Sequence, residues 1–442
     1  MRSLWKNSLW IIFIIIMALL VPSSISLHAQ TEDRSIVVAI GVDKLAEEKY
    51  EVSTEIIVPR YETTYNQNAQ VISSIGINSA EAINGLSIHI GKILGLSHCS
   101  TILIGESLKD DNIIEIIDQI LRSKRVNYNA QLIFCEGSSK AILKKAVEID
   151  KNFNQNLNDI VQFNNQYLRS KSMLLSNFYK VYYENHGACF VPVMSLVTQE
   201  YNGVSALQTG ESSSGGGGES GDSSGGDSQS GGGETGEGGG QSSESSSSSG
   251  GDSQDSKKQQ YLSNDGKTAI FNEGKLVKIL DAEQVAGFGV LTNNGTKGLF
   301  TVDNVTDDVL TNASLSLSIR AALTTKTIGF SKNNKPRVYY TINYKLRVEE
   351  IKNELSASSV TNDNIDFLSP QAKAKIVEKL KLDISSAVNL AKELKLDLFD
   401  TYTTCERFAP KKWYKYLDTL DNKWDYMQDV EFFVDVIISN ID

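Results

Sequence analysis

From Gly210 to about Lys258 the chain is almost entirely Gly, Ser, Glu, Asp and Gln. A tract of that composition buries too little apolar surface to offset the entropy of ordering, so it is predicted to be a disordered, solvated spacer. As a Gly/Ser coil it spans on the order of 35–40 Å r.m.s., stretched further by its own charge. The material for a core therefore has to lie on either side of it. The expected organisation is an export segment at 1–29, a folded region at 30–200, an acidic Gly/Ser linker at 201–260 and a second folded region at 261–442. A further division of that last region is expected near residue 300, into lobes of about 261–300 and 301–442. Gly215 to Ser220 is not a phosphate loop, because no Lys-Ser/Thr follows and no strand precedes it.

The tract also explains the charge. Glu211, Glu219, Asp222, Asp227, Glu234, Glu237, Glu244, Asp252 and Asp255 stand there with no Lys or Arg before Lys257, and they supply most of the formal net charge of −11. The remainder is nearly balanced. Nucleic-acid binding, which needs a basic face, is disfavoured. Cys99, Cys135, Cys189 and Cys405 lie far apart with no C-x-x-C, which is neither a zinc pattern nor a disulfide framework. They are expected to be buried thiols, with Cys99–Cys135 the one pairing worth testing.

Arg2 and Lys6 precede the apolar run Leu9 to Val21, which reads as an export signal. Two outcomes stand open. Cleavage after Ser26 or Ala29 would release the remainder. Alternatively, retention of the segment through Leu27 would give the roughly 20 residues of a membrane anchor. Either way the basic end stays cytoplasmic and the rest crosses the membrane. No cysteine precedes Cys99, so no lipobox and no N-terminal lipidation are expected.

The first folded region begins with two strand patterns, Ser35 to Val42 and Tyr50 to Val58, joined as a hairpin. Asp43, between them, is read as a turn residue after a buried strand. Ser79 is the expected N-cap of a helix through Ile90. The stretch Ile88 to Leu108 then carries a helix end, breaks at Gly91, Gly95 and Gly105, a polar turn at Ser97-His98 and a buried strand over Cys99 to Ile104. Asp111 is expected to cap an amphipathic helix over Ile113 to Leu121. A strand over Ala130 to Cys135, a helix capped by Ser138 or Ser139 and a strand over Cys189 to Val197 complete a mixed α/β layer.

These segments carry a resemblance. Ile36 to Asp43, followed by a polar turn and Tyr50-Glu-Val-Ser-Thr, resembles the opening of the Ger(x)C family, the C-subunits of spore germinant receptors. Gly91 to His98 and Thr101-Ile-Leu-Ile-Gly-Glu106 resemble its next segment. The Ile113 to Arg122 helix and Gln131 to Gly137 fall where that family has them.

Beyond the tract, Thr268 to Phe271 and Lys275 to Leu280 form a hairpin pattern. Gly287-Phe-Gly289 has two of the three glycines of a dinucleotide fingerprint, a weak match. Strands are expected around Leu315 to Ile319 and Arg337 to Val348. Ser369-Pro370 opens the longest helix, with Ile376, Leu380, Ile384, Ala387, Ala391 and Leu394 on one face. Lys373, Lys375, Lys379 and Lys392 lie on the solvated side. Asp397 to Asp400, Phe408 to Pro410, Trp413, Trp424 and the strand Val430 to Ile438 resemble the family's C-terminal signature. Here Cys405-Glu-Arg407 replaces the usual glycines. Trp413 and Trp424 are expected to be core anchors.

The resemblance implies an α+β fold of several mixed lobes and a non-enzymatic, exported subunit at the outer face of the spore's inner (cytoplasmic) membrane. Its implied partners are the integral-membrane A and B subunits, and the subunit is needed for the response to small germinants. The residues themselves assign no catalytic, metal, cofactor or lipidation site: there are four histidines and no G-x-S-x-G, H-E-x-x-H or paired-acid cluster. His98 and Cys99 are neighbours in a strand-like segment and so point to opposite faces. The alternative from a different class is a generic exported binding or adhesion protein with a flexible spacer.

Overall fold

A computed structural model of the chain describes residues 34–57, 69–123, 126–153, 157–184, 188–200, 258–292, 297–306, 310–352 and 369–441. The segment read as an export signal and the Gly/Ser tract lie outside the described residues. Among those described, no helix is long and apolar enough to cross a membrane.

The chain is α+β, with two sheets. In order it forms β1 (Arg34–Lys44), β2 (Tyr50–Ile57), β3 (Ala69–Gly76), α1 (Ser79–Ile90), β4 (Ile93–Gly95), β5 (Thr101–Ile104), α2 (Ile113–Ser123), β6 (Gln131–Glu136), α3 (Ser139–Phe153), α4 (Leu157–Gln166), α5 (Leu175–Glu184) and β7 (Cys189–Glu200). After the tract come β8 (Lys258–Ser263), β9 (Thr268–Asn272), β10 (Lys275–Leu280), α6 (Ala282–Thr292), β11 (Gly298–Val305), β12 (Ala313–Phe330), β13 (Pro336–Lys352), α7 (Pro370–Glu393), α8 (Thr401–Phe408), α9 (Pro410–Leu417) and β14 (Glu431–Ile441).

The larger sheet runs β10-β9-β7-β6-β5-β1-β2-β3. Its centre, β7-β6-β5-β1, is parallel, and both flanks are antiparallel. Both faces of that centre are covered. On one side Ile40, Ile102, Ile104 and Phe134 join α1, α2 and α5 in the main core. On the other, Ala39, Leu103, Ile133 and Cys135 pack under α3 and α4. This explains why β5 and β6 read as continuous apolar runs without alternation.

The halves on either side of the tract share this sheet. β9 pairs with β7, placing Phe271 against Cys189 and Ile270 against Phe190. Ser195 and Ser263, on opposite flanks of the tract, are joined by a 3.2 Å hydrogen bond from Ser195 Oγ to the Ser263 carbonyl. The hydrophobic core runs without a break from Val37 to Val436. The folded regions on either side of the tract share this sheet and core and form one compact unit.

The smaller sheet is β11-β12-β13-β14, with β14 parallel to β13. The α7 helix covers its inner face, and Ser369 caps α7 as expected, its hydroxyl accepting from the Ala372 amide. β12 and β13 are far longer than the alternation suggested. Gly287 and Gly289 lie inside α6 and not in a nucleotide loop. A Cβ on Gly287 would sit 2.5 Å from the Asp383 carbonyl, so this glycine sets the close approach of α6 to α7.

Other expectations shift locally. Asn78, not Ser79, caps α1: its Oδ1 accepts from the Glu81 amide, while Glu81 Oε2 accepts from the amide of Ile77, just before the cap. Asp111 does not cap α2. It pairs with Lys44 at 2.8 Å, and Asn112 accepts from the Ile114 amide instead. All four cysteines are free and buried. Thr101 pairs with Gln131 and Ile104 with Phe134, so Cys99 and Cys135 stand at opposite ends of adjacent parallel strands, beyond bridging range. Trp413 is fully buried, but the helix breaks after Leu417 and Trp424 is 49 % exposed. Trp424 is not a core anchor.

Candidate functional site

The residues that marked the first half converge at the carboxyl ends of β1, β5 and β6, the edge of a parallel sheet where ligands are usually met. Here the position is filled by protein. Asp43 is 5 % exposed, and its carboxylate accepts from Ser138 Oγ (3.0 Å), Ser139 N and Oγ (both 2.9 Å) and Lys140 N (3.2 Å). Three forces act together: an anion at the start of α3, charge-assisted bonds, and burial. Gly105 makes room for it. A Cβ there would lie 1.8 Å from Asp43 Oδ1, while its own backbone (φ −70°, ψ 154°) suits any residue. Glu106 closes the ring, its amide donating to the Gly137 carbonyl (3.0 Å) and Oε2 accepting from the Gly137 amide (2.9 Å). Asp43, read from sequence as a turn residue, is thus the clasp between strand β1 and helix α3.

A second clasp lies in the C-terminal signature. Asp397 is 5 % exposed and accepts from the amides of Phe399 (3.2 Å), Thr401 (2.9 Å) and Tyr402 (2.7 Å) and from the Tyr426 hydroxyl (2.6 Å). Burial and the carboxylate beside it push the Tyr426 phenol well above its ordinary range, so it stays a donor. Asp400 has φ 53°, which is where a glycine would relieve strain. Lys326 holds that turn from β12, donating to the carbonyls of Phe399 (2.6 Å) and Asp400 (3.2 Å) and to Thr404 Oγ1 (2.9 Å). Burial lowers the affinity of its ammonium for its proton. Lys326 thus braces the strained turn at Asp400 from the neighbouring sheet.

The third feature joins the halves. Phe190 of β7 meets Phe288 of α6 edge-on at 5.3 Å, Phe288 stacks on Phe399 at 5.3 Å, and Phe399 meets Phe432 of β14 at 5.7 Å. Lys267 of the β8–β9 turn pairs with Glu136 at 2.7 Å. Leu168 is buried with φ 57°, a strained conformation for a branched side chain, and it seats against Gly289 and Gly298. Beside it opens a cleft of about 810 Å³ lined from Tyr167 and Arg169 to Lys379 and Tyr344. Within it Lys379 pairs with Asp383 at 2.8 Å, and Glu349 accepts from Ser318 Oγ at 2.6 Å and lies 3.9 Å from Arg320. Burial raises the Asp383 carboxyl, and Lys379 opposes that rise.

The thiol–imidazole pair fails on geometry. Cys99 is fully buried, its thiol pushed up to about 12 by burial, and its Sγ donates to the Thr101 carbonyl at 3.3 Å. His98 is exposed. Among the described residues no three His, Cys, Asp or Glu gather to hold a metal ion. The arrangement chemically supports packing and docking: its buried carboxylates are consumed by helix amides and hydroxyls. Sequence reasoning missed Leu168 and Lys326, since only the strained turn at each explains its identity.

No curated protein matches the chain in sequence. The crystal structure of the GerBC protein resembles it at 12 % identity and a TM-score of 0.45, covering 91 % of this chain and 97 % of that one. Two family models match in order. The spore germination protein N-terminal domain matches residues 28–196, and the C-terminal domain described as spore germination B3/GerAC like matches 266–441. Their limits bracket the Gly/Ser tract, and they take in both carboxylate clasps; the chain belongs to the Ger(x)C family of spore germination proteins.

Proposed function

We propose that the protein is the C-type subunit of a spore germinant receptor. It is exported to the outer face of the spore's inner membrane and works with integral-membrane A- and B-type subunits. Its part is structural and binding, without catalysis. The observation that carries this is the presence of both family domains in order, over most of the chain, with their marker residues in structural clasps. Domain boundaries at 30–200 and 261–442 accord with it, as does a spacer role for 201–260. The adhesion-protein alternative would place a flexible stalk at one end of the chain, whereas the tract lies between two folded regions. The Ser195–Ser263 bond, which joins the flanks of the tract, supports an inserted spacer over a stalk. The test is deletion of the gene, followed by germination of purified spores with a panel of amino acids, sugars and nucleosides. Loss of the response to one class, restored by the intact gene, is expected, together with recovery of the protein in the spore inner-membrane fraction alongside A- and B-type subunits. Spores that germinate normally with every germinant, or a protein recovered in the soluble fraction, would overturn the reading.

A further inference from the structure

The last strand has the composition of an interior strand and the position of an edge. From Phe432 to Ile438 only Asp435 is not apolar. Its inner row, Phe432, Val434, Val436 and Ile438, packs on the main core. Its outer row is open: Phe433 is 43 % and Ile437 41 % exposed, and Phe433 stacks on the half-open Tyr339 at 4.9 Å. A run apolar on both faces is the pattern of a strand covered on both faces.

The free side of β14 is equally unguarded. It pairs only with β13 among the described residues, and the register runs evenly from Glu431 to Ile438 before slipping at Ser439. Natural sheets blunt such edges with lysines, prolines or bulges. Two other edges, β11 and β10, follow that rule. β11 slips between Val302 and Val305 with Asn304 at φ 57°, and β10 carries Lys275 and Lys278 and slips after Leu276. β14 has none of these over eight residues.

Charge identifies the occupant. Glu431 is already paired with Arg337 at 2.6 Å. Asp435 is exposed between Phe433 and Ile437 on the outer row and has no ion pair or hydrogen bond among the described residues. A second copy in antiparallel register would set Asp435 opposite or diagonal to itself, within about 8 Å, which is repulsive. We propose that β14 is a docking strand: its free edge takes an extended segment of a different polypeptide, with a lysine or arginine facing Asp435 between two apolar residues. Main-chain bonds supply the affinity and the alternate side chains the selection. The inference does not depend on the germination reading.

The test is titration of the intact protein with short fluorescent peptides. Their outer row reads Val-Lys-Val or Val-Asp-Val, with threonine at the alternate positions. The lysine peptide is expected to bind at least roughly tenfold tighter than the aspartate peptide. Asp435→Lys reverses that order, and Phe433→Lys with Ile437→Lys abolishes binding. All three positions are solvent-facing, so the circular dichroism and melting curves of the variants stay as in the wild type. The proposal is overturned if the lysine peptide does not bind by about 1 mM, or if Asp435→Lys leaves the preference unchanged. It is overturned equally if the protein forms a dimer that Ile437→Lys disperses, for then a second copy fills the edge.

Discussion

Removing the Asp43 carboxylate and crowding it from outside are two routes to one loss, and a double-mutant cycle separates them from unrelated damage. Asp43→Ala leaves the Ser139 amide and hydroxyl, the Ser138 hydroxyl and the Lys140 amide without their acceptor at the start of a 15-residue helix. Bonds to a charged acceptor are worth about 1.5–3 kcal/mol each but are far from additive. A total cost of about 3–5 kcal/mol is expected. Gly105→Ala puts a methyl group 1.8 Å from Asp43 Oδ1 and 3.1 Å from the Val42 carbonyl. The carboxylate must leave its seat, so this change alone should cost about 3 kcal/mol, nearly all of it the same lost bonds. In the Asp43→Ala background the clash is gone, and Gly105→Ala should cost under about 1 kcal/mol, for the Val42 contact. The expected coupling is about 2–3 kcal/mol, at the upper end for residues in contact. Urea unfolding followed by far-ultraviolet circular dichroism measures all four corners. Equal costs for Gly105→Ala in both backgrounds, within about 0.5 kcal/mol, would refute the clasp.

Three further outcomes are expected. Trp413→Ala should cost about 3–5 kcal/mol and Trp424→Ala under about 1 kcal/mol, because the first is fully buried and the second half-exposed; thermal melts of the two variants check this, and equal losses would count against it. The Cys99 thiol is held neutral up to about 12 by burial, against 9.0 when unfolded, so above pH 9 the unfolded state sheds its proton first and stability falls until about pH 12. Cys99→Ala should therefore make the alkaline fall in urea-measured stability shallower by up to about 1.4 kcal/mol per pH unit, and an unchanged slope would contradict the assignment. A protease cut between Gly210 and Lys258 should leave two fragments that elute together on gel filtration, because β9 is paired with β7; fragments that separate without denaturant would show that the shared sheet is not what joins the halves.

Much of the fold was legible because its signals are local. Ser369-Pro370 fixes a helix start by its own chemistry, and the apolar runs of β5 and β6 could only be buried strands. What escaped depends on partners distant in sequence. β3 is rich in serine and glutamine and forms a strand only because β2 offers an edge. α4 and α5, in an Asn/Gln- and Tyr-rich stretch, are helical because Val161 and Phe178 find cores to enter. The spacing of Trp413 and Trp424 suited a single helix, but Thr419 to Asn422 breaks it. Asp43 was placed correctly at a strand end, yet its hydrogen-bond donors lie some 95 residues on, which no local pattern carries. The pairing of β9 with β7 across the tract was not legible for the same reason: the composition of the tract marks where two folded regions are divided, not which strands they share.

That return has a kinetic side. Cys189 and Phe271 are neighbours across β7 and β9 but about eighty residues apart along the chain, and closing an unfolded chain of that length into a loop costs roughly 4 kcal/mol of entropy before any contact rewards it. On the export route proposed above, β7 emerges before β9, and Phe190 precedes its partner Phe288. The first half is then a template with a missing strand for as long as translocation of the tract takes. Maturation of this protein should be slow, sensitive to the length of the insertion, and helped by any chaperone that shields a sheet edge outside the membrane.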